Sequence, residues 1–487
     1  MSVQETGGIS RRRALAALGG AGSALAASGV AGCGRRRPAR PERPNILVAI
    51  ADDWSWPHAG VAGTPGIATP NFDRVGQEGA LFTNAFVSAA SCTPSRAALL
   101  TGRYHWELEQ GANLWGTLPA KFPTYTDVLA EAGYHVGHCR KGWGPGNIKA
   151  GGREHNPAGP WNVNVRHFFA TRRRKAPFCL WFGSNDPHRR YRLGSGIAAG
   201  LDPDKVAIPS WLPRSETVKI DLCDYYGEVQ RFDRDLGRLL ELLEDMGELD
   251  NTILVVTSDN GMPFPRSKAT CYDSGTHVPL AIRWPKAIKA GTVIDSFVSL
   301  CDIAPTFYEL LEIDMPDGVS GNSLLPLFGR NKDERVDRSF VVTGRERHTC
   351  SQEKTLDGYP MRAIRTNGYL YIKNYEPQRW PAGSPPGYSD VDRSPTKRYM
   401  LERRTTPNVK DLFRLAFGRR PAEELYDLRT DPDQLHNVAD QPVYDNAQKR
   451  LSRKLTDMLK QTGDPRAFGE GEVFDRYAYY MIKAIHQ

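Results

Sequence analysis

"NILVAIADD", residues 45–53, is a short apolar run that stops on two carboxylates. Its Ile, Leu and Val content, without alternation, suits a strand buried on both faces, as in a parallel sheet. Three further runs share this plan. "YHVGHCRKG" carries Lys141 near its end, "FCLWFGSNDPHR" ends at Asp186 and His188, and "TILVVTSDNG" ends at Asp259-Asn260. Helical segments lie between them. The clearest covers about Leu222 to Met246, where Val229, Phe232, Leu236, Leu239, Leu240 and Leu243 follow helical spacing and Gly247 marks the stop. Strands alternating with helices predict an α/β fold, a large mostly parallel sheet sandwiched by helices. Sheets of that kind bind ligands beyond the carboxyl ends of their strands, so all four polar tips are expected along one edge.

The rest of the chain reads differently. "MRAIRTNGYLYIKNY", 361–375, predicts two short strands around a Thr-Asn-Gly turn. Residues 376–410, rich in Pro, Gly, Ser and Arg, read as a long loop; "EELYDLRTDPDQLHNVAD" reads as a strand leading to turns, and 443–461 as an amphipathic helix. Together they predict a smaller C-terminal α+β domain with an antiparallel sheet, over 356–487, after a catalytic domain over 44–355. No internal repeat is evident.

The N-terminus reads as an address. Ser10-Arg11-Arg12-Arg13 precedes an Ala/Gly-rich apolar run to Gly32, as in a twin-arginine export signal. Val30-Ala31-Gly32-Cys33 matches a lipoprotein box, so residues 1–33 form the signal, with Cys33 either the lipidated first residue or incidental. Residues 34–43, "GRRRPARPER", form a basic tether suited to anionic headgroups. The expected location is the periplasm or cell envelope, with a lipid anchor at Cys33. Of the formal charge of +8, residues 1–32 carry +2 and 34–43 carry +4, leaving +2 from Pro44 onward. A basic pI that resides in a leader and tether is no footprint of a nucleic-acid partner, and none is expected. Apart from Cys33 and Cys92, the cysteines (Cys139, Cys179, Cys223, Cys271, Cys301, Cys350) show no zinc spacing or close pairing. Buried free thiols are the favoured reading, with disulfides the alternative in an oxidising compartment.

Asp52, Asp53, Asp259 and Asn260 are hard oxygen ligands that repel one another without a cation. Ca2+ suits them, Mg2+ is the alternative, and zinc does not fit. Either pair alone suits a turn or cap; both together at the ends of core strands favour a metal. "SCTPSRAALLTGR", 91–103, places Cys92 just before a small-residue helix that starts near Pro94. A helix N-terminus favours negative charge, so Cys92 reads as a buried thiol or as a thiolate nucleophile.

Cys-x-Pro-x-Arg followed by Leu-Thr-Gly-Arg, with Asp-Asp upstream and Ser-Asp-Asn-Gly downstream, resembles the formylglycine-dependent (type I) sulfatases of the alkaline-phosphatase-like superfamily. The resemblance runs from about Pro44 to "ELYDLRTDPDQLHNVA". It implies that a maturation enzyme oxidises Cys92 to Cα-formylglycine. A hydrated aldehyde has two hydroxyls: one attacks sulfur, and the other then expels sulfate and restores the aldehyde. By resemblance, Asp52, Asp53, Asp259 and Asn260 hold the metal together with residue 92, Arg96 polarises the hydrate, Lys141 binds sulfate, His188 is a candidate general acid and Lys268 a second cation. "NDPHRRY" and "SDNGMPFPRSKATCY" are similar to the subgroup that hydrolyses N-sulfoglucosamine, although Lys268 stands where that subgroup usually has arginine. Arg189 joins the candidate substrate-binding residues through this stretch.

One departure stands out. Most sulfatases carry a histidine two residues after the lysine, hydrogen-bonded to the formylglycine hydroxyl that loses its proton; here "RKGWGPG" puts Trp143 there. His105 and His138 are candidate replacements, and Trp143 is a candidate platform for a sugar ring, with core packing as its alternative. The expected function is release of sulfate from a sulfated sugar, N-sulfoglucosamine among the candidates. An O-sulfated polysaccharide, a phosphodiester or phosphonate ester, or a non-catalytic role binding sulfated glycan remain the alternatives.

Overall fold

A computed structural model describes residues 43–173, 176–329, 336–353 and 355–481. The export signal with Cys33, and the tether up to Glu42, lie outside the described residues. In chain order the strands are β1 (Asn45–Ala51), β2 (Ala80–Phe82), β3 (Ala85–Phe86), β4 (His135–Arg140), β5 (Trp161–Asn162), β6 (Phe178–Gly183), β7 (Thr252–Ser258), β8 (Leu280–Arg283), β9 (Thr292–Ile294), β10 (Val298–Ser299), β11 (Phe340–Arg345), β12 (Met361–Thr366), β13 (Tyr369–Asn374) and β14 (Glu423–Asp427).

Eight of them build one sheet in the order β5-β4-β6-β1-β7-β8-β2-β9. β1 is central and runs parallel to β6 and β7, while β6 runs parallel to β4. Only β8 opposes its neighbours β7 and β2. The four apolar runs are therefore the four adjacent parallel strands, and their polar ends share one edge. β1 is buried throughout, and its side chains alternate between two cores. Leu47 and Ala49 pack with Leu222, Val229, Phe232 and Leu236 of the long helix Glu216–Asp245. Ile46, Val48 and Ile50 pack with Leu99 and Leu100 of the helix Cys92–Thr101 and with Phe307 of the helix Ile303–Leu310. Helices thus cover both faces, as the lack of alternation requires. Among the described residues no helix is long and apolar enough to cross a membrane.

The antiparallel sheet has the order β11-β12-β13-β14. β12 and β13 are the predicted pair around Asn367-Gly368, and β14 is the "EELYD" strand. Leu451, Leu455 and Leu459 of the helix Asp445–Gln461 lie four apart and meet Val342, Ile364, Tyr371 and Leu425 of the sheet. Two expectations change. The sheet takes its first strand from Phe340–Arg345, upstream of 356, and its core includes Ala98, so it is built directly onto the helix Cys92–Thr101. Residues 376–410 are not all loop: helices Pro395–Glu402 and Pro407–Phe417 begin there, each with proline in its first turn, where a missing N–H costs nothing. Cys139, Cys179, Cys223, Cys271 and Cys301 are buried free thiols, whereas Cys350 is free but exposed.

Candidate active site

The helix Cys92–Thr101 follows an extended Ser91, and Cys92 is its first residue. Gly102 ends it at φ 69°, its N–H donating to the Ala98 carbonyl. The left-handed region suits glycine, which gives Leu-Thr-Gly-Arg a structural reason. All ten residues of this helix are buried, Arg96 at 0% exposure. Asp52 and Asp53 follow β1, and Asp259 and Asn260 follow β7. Donor atoms of Asp52, Asp53, Cys92 and Asp259 lie within 4.8 Å of one another. Asp53 adopts φ 78°, a strained conformation for a non-glycine residue. Its N–H donates to Asp259 Oδ1 at 3.1 Å, which holds the turn.

Cations surround these carboxylates. Arg96 Nε donates to Asp259 Oδ2 at 2.7 Å, and its Nη1 to the carbonyls of Lys141 and Gly142. Lys141 Nζ lies 2.6 Å from Asp52 Oδ2, and Lys268 Nζ 2.7 Å from Asp53 Oδ2. His188 donates from Nδ1 to the Arg189 carbonyl at 2.6 Å, leaving Nε2 3.9 Å from Asp53 Oδ2. Burial alone would raise the Asp52 pKa; Lys141, His188, Arg96 and Lys268 outweigh it and hold that carboxyl far below its usual range. Burial raises Asp259 to about 6, Arg96 offsetting it and the Asp52 charge adding to it. Burial would lower both ammonium groups, but Asp52 raises Lys141, and Asp392 with Asp53 raises Lys268, so both stay charged. Burial pushes the Cys92 thiol far up, and Lys141 and Lys268 only partly offset this. Burial thus works against the thiolate reading of an unmodified Cys92.

The donor set fits a hard divalent cation. Asn260 Nδ2 donates to Asp53 Oδ1 at 2.7 Å and to the Gly261 carbonyl, which fixes the amide orientation. Asn260 Oδ1 is then a buried acceptor with no hydrogen-bond partner. A buried oxygen without a donor, beside three carboxylates, is a ligand arrangement for Ca2+ or Mg2+.

Other expected residues lie elsewhere. Trp143 is 3% exposed and packed in the core with Leu118 and Trp181, so it offers no open ring face to a sugar. His105 is buried, with Nδ1 on Ser88 Oγ at 2.9 Å. His138 Nδ1 pairs with the Gly159 carbonyl at 2.7 Å. Both histidines serve the packing around them, and neither bonds to the carboxylate cluster. Arg189 makes a two-pronged pair with Asp221 at 2.7 and 2.9 Å and donates to the Pro263 carbonyl, so its guanidinium is already committed. Two residues that sequence reasoning missed stand close by. Asp392 Oδ2 lies 3.5 Å from Lys268 Nζ. His348 is buried, with Nδ1 on Ser91 Oγ at 2.7 Å, directly before Cys92. Neither lies in a motif, and only the fold brings them here.

Comparison with known proteins agrees with this architecture. The sulfatase family model matches residues 44–156 and 164–313. A second model, the N-sulphoglucosamine sulphohydrolase C-terminal domain, matches 266–381, a span that includes Lys268 and His348. An ulvan-active sulfatase of Formosa agariphila is 30% identical over 87% of this chain and 81% of its own. Human N-sulphoglucosamine sulphohydrolase is 30% identical over 88% of this chain and 91% of its own. The crystal structure of phosphonate monoester hydrolase from Agrobacterium radiobacter superposes with a TM-score of 0.61 at 18% identity, covering 86% of this chain and 96% of that one, and shares the fold.

Proposed function

The chain belongs to the sulfatase family and is a sulfate-ester or sulfamate hydrolase, and from that premise we propose that it releases sulfate from a sulfated sugar, N-sulfoglucosamine foremost, through a formylglycine made from Cys92. The observation that carries this reading is Cys92 at the start of a buried helix, its Sγ clustered with Asp52, Asp53 and Asp259. The match of 266–381 to the N-sulphoglucosamine sulphohydrolase C-terminal model supports the N-sulfated sugar.

Asp52, Asp53, Asp259 and Asn260 are the residues that would hold Ca2+, with Mg2+ as the alternative. Bound there, the cation supplies Lewis-acid polarisation of the sulfuryl oxygens. The remaining steps belong to side chains of this chain. Arg96 is fixed by Asp259 and two carbonyls, and its Nη2 has no hydrogen-bond partner, so it keeps a buried donor for developing negative charge. Lys141 and Lys268 bring charged ammonium groups to the same carboxylates and are placed to bind the sulfate dianion. His188 donates its Nδ1 proton to the Arg189 carbonyl, so Nε2 is the exchanging atom: with the ring doubly protonated, Nε2–H gives its proton to the leaving group and the ring is left neutral with the proton on Nδ1.

Export, lipidation at Cys33 and a dedicated maturation enzyme belong to the same proposal; Lys replacements at Arg11 and Arg12 should strand the precursor in the cytoplasm. The central test pairs mass spectrometry of the Cys92 peptide with sulfate release from N-sulfoglucosamine and from O-sulfated monosaccharides. An aldehyde at residue 92 and release from the N-sulfated sugar are expected. An unmodified thiol in the native host would sink the mechanism. Release only from O-sulfated sugars would move the substrate within the family.

A further inference from the structure

A groove of about 540 Å³ is lined by Arg190, Tyr191, Arg393, Ser394, Lys397 and Arg398 among others. That size lies within the usual range of small-ligand clefts, roughly 300–1,000 Å³. Both walls continue directly from groups that reach the carboxylate cluster. Arg190 stands two residues after His188, whose Nε2 is 3.9 Å from Asp53. Arg393 follows Asp392, which lies 3.5 Å from Lys268.

The charges in the groove do not cancel. Its two acids are committed: Asp221 accepts from Arg189 and from Thr396 Oγ1 at 2.6 Å, and Asp224 accepts the N–H groups of Gly194 and Gly196. Lys397 Nζ is committed to the carbonyls of Tyr388 and Val391. Arg190, Arg393 and Arg398 are exposed, and among the described residues none of them has an ion-pair partner. Burial pushes Lys397 down to about 8, Asp392 opposing this and the Arg393 charge adding to it. Three guanidinium groups around one cleft can each pair with two oxygens of a sulfate or a carboxylate.

We propose that this groove binds an anionic substituent, a sulfate or a uronate carboxylate, on the sugar joined to the one that loses sulfate. The preferred substrate is then a polyanionic oligosaccharide and not a free monosaccharide. This rests on the sulfatase reading for the reaction, but the groove's binding is measurable without turnover.

The test uses the full chain and its Arg393→Gln/Arg398→Gln variant. In a Cys92→Ser background, affinity for a heparin-derived tetrasaccharide should fall about tenfold in the variant, the scale of losing charge-assisted contacts. In the matured enzyme, kcat/KM on the tetrasaccharide should fall by a similar factor through KM, with N-sulfoglucosamine turnover unchanged. De-O-sulfated and carboxyl-reduced tetrasaccharides separate the two anions: whichever change abolishes the difference identifies the group bound. Unchanged tetrasaccharide affinity overturns the proposal, and so does an equal loss on both substrates. Arginine-dependent binding without sulfate release would support the groove and overturn the N-sulfated substrate.

Discussion

Asn260 and Asp259 set the terms at the residue scale. Asn260 Oδ1 has no donor, and Asp259 accepts from both Arg96 and the Asp53 N–H. Asp259→Asn keeps the shape and removes one charge, so bound Ca2+ should fall well below one per chain by elemental analysis; full retention would refute the ligand assignment. Asp259→Ala would also remove the nearer of the two carboxylates that face buried Arg96, the other being Asp52 at 3.7 Å, so stability should fall, by less than the roughly 3–5 kcal/mol of a fully unpaired buried charge, measurable by urea unfolding. His188 has a different signature. His188→Ala should slow substrates with poor leaving groups more than an activated aryl sulfate, and equal losses would remove the general-acid role. What the sequence hid at this scale is also local. Asp52, Asp53, Asp259 and Asn260 were legible because they end apolar runs. Trp143 stayed open between a sugar platform and core packing because burial is a tertiary property: Gly142-Trp143-Gly144 can expose or bury an indole equally well, and Leu118 and Trp181 bury it.

At the scale of elements, the helix Cys92–Thr101 depends on its stop. A Cβ at Gly102 would fall 2.9 Å from Val319 Cγ1 and 3.1 Å from Pro305 Cδ, in a left-handed backbone. Gly102→Ala should therefore destabilise by about 1–2 kcal/mol from the backbone alone, with more from the contacts; a neutral urea midpoint would contradict this. The strands were legible because runs buried on both faces carry their own signal. The helix Pro395–Glu402 was not, because Pro395 and the surrounding Gly and Arg residues read as loop. Ser394 supplies the missing clue, accepting the Lys397 N–H as an N-cap. Asp392, just before it, escaped notice for the same reason.

Across the whole molecule, neutral histidines set an acid limit. Burial lowers His58 and His277 to about 4 and His348 to about 3. Their pKa values are depressed in the folded state, so the unfolded chain binds more protons below pH 6.5. The stability from their neutral burial is full above pH 6.5 and is lost as pH falls through 6.5 toward 4. Urea midpoints at pH 7.5 and 4.5 should differ clearly, and His58→Gln should flatten the slope; a flat profile would refute the assignment.

The buried helix at Cys92 also sets a schedule. Its cover comes from residues far downstream: Arg96 waits for Asp259, Gly102 packs on Val319, and Ser91 bonds to His348. At the usual pace of synthesis, about 5–20 residues per second, Cys92 leaves the ribosome roughly 10–30 seconds before Asp259. On the proposed maturation of Cys92, the modifying enzyme would have that interval to act on an open segment, and the speed of translation would then determine how much of the protein is ever active.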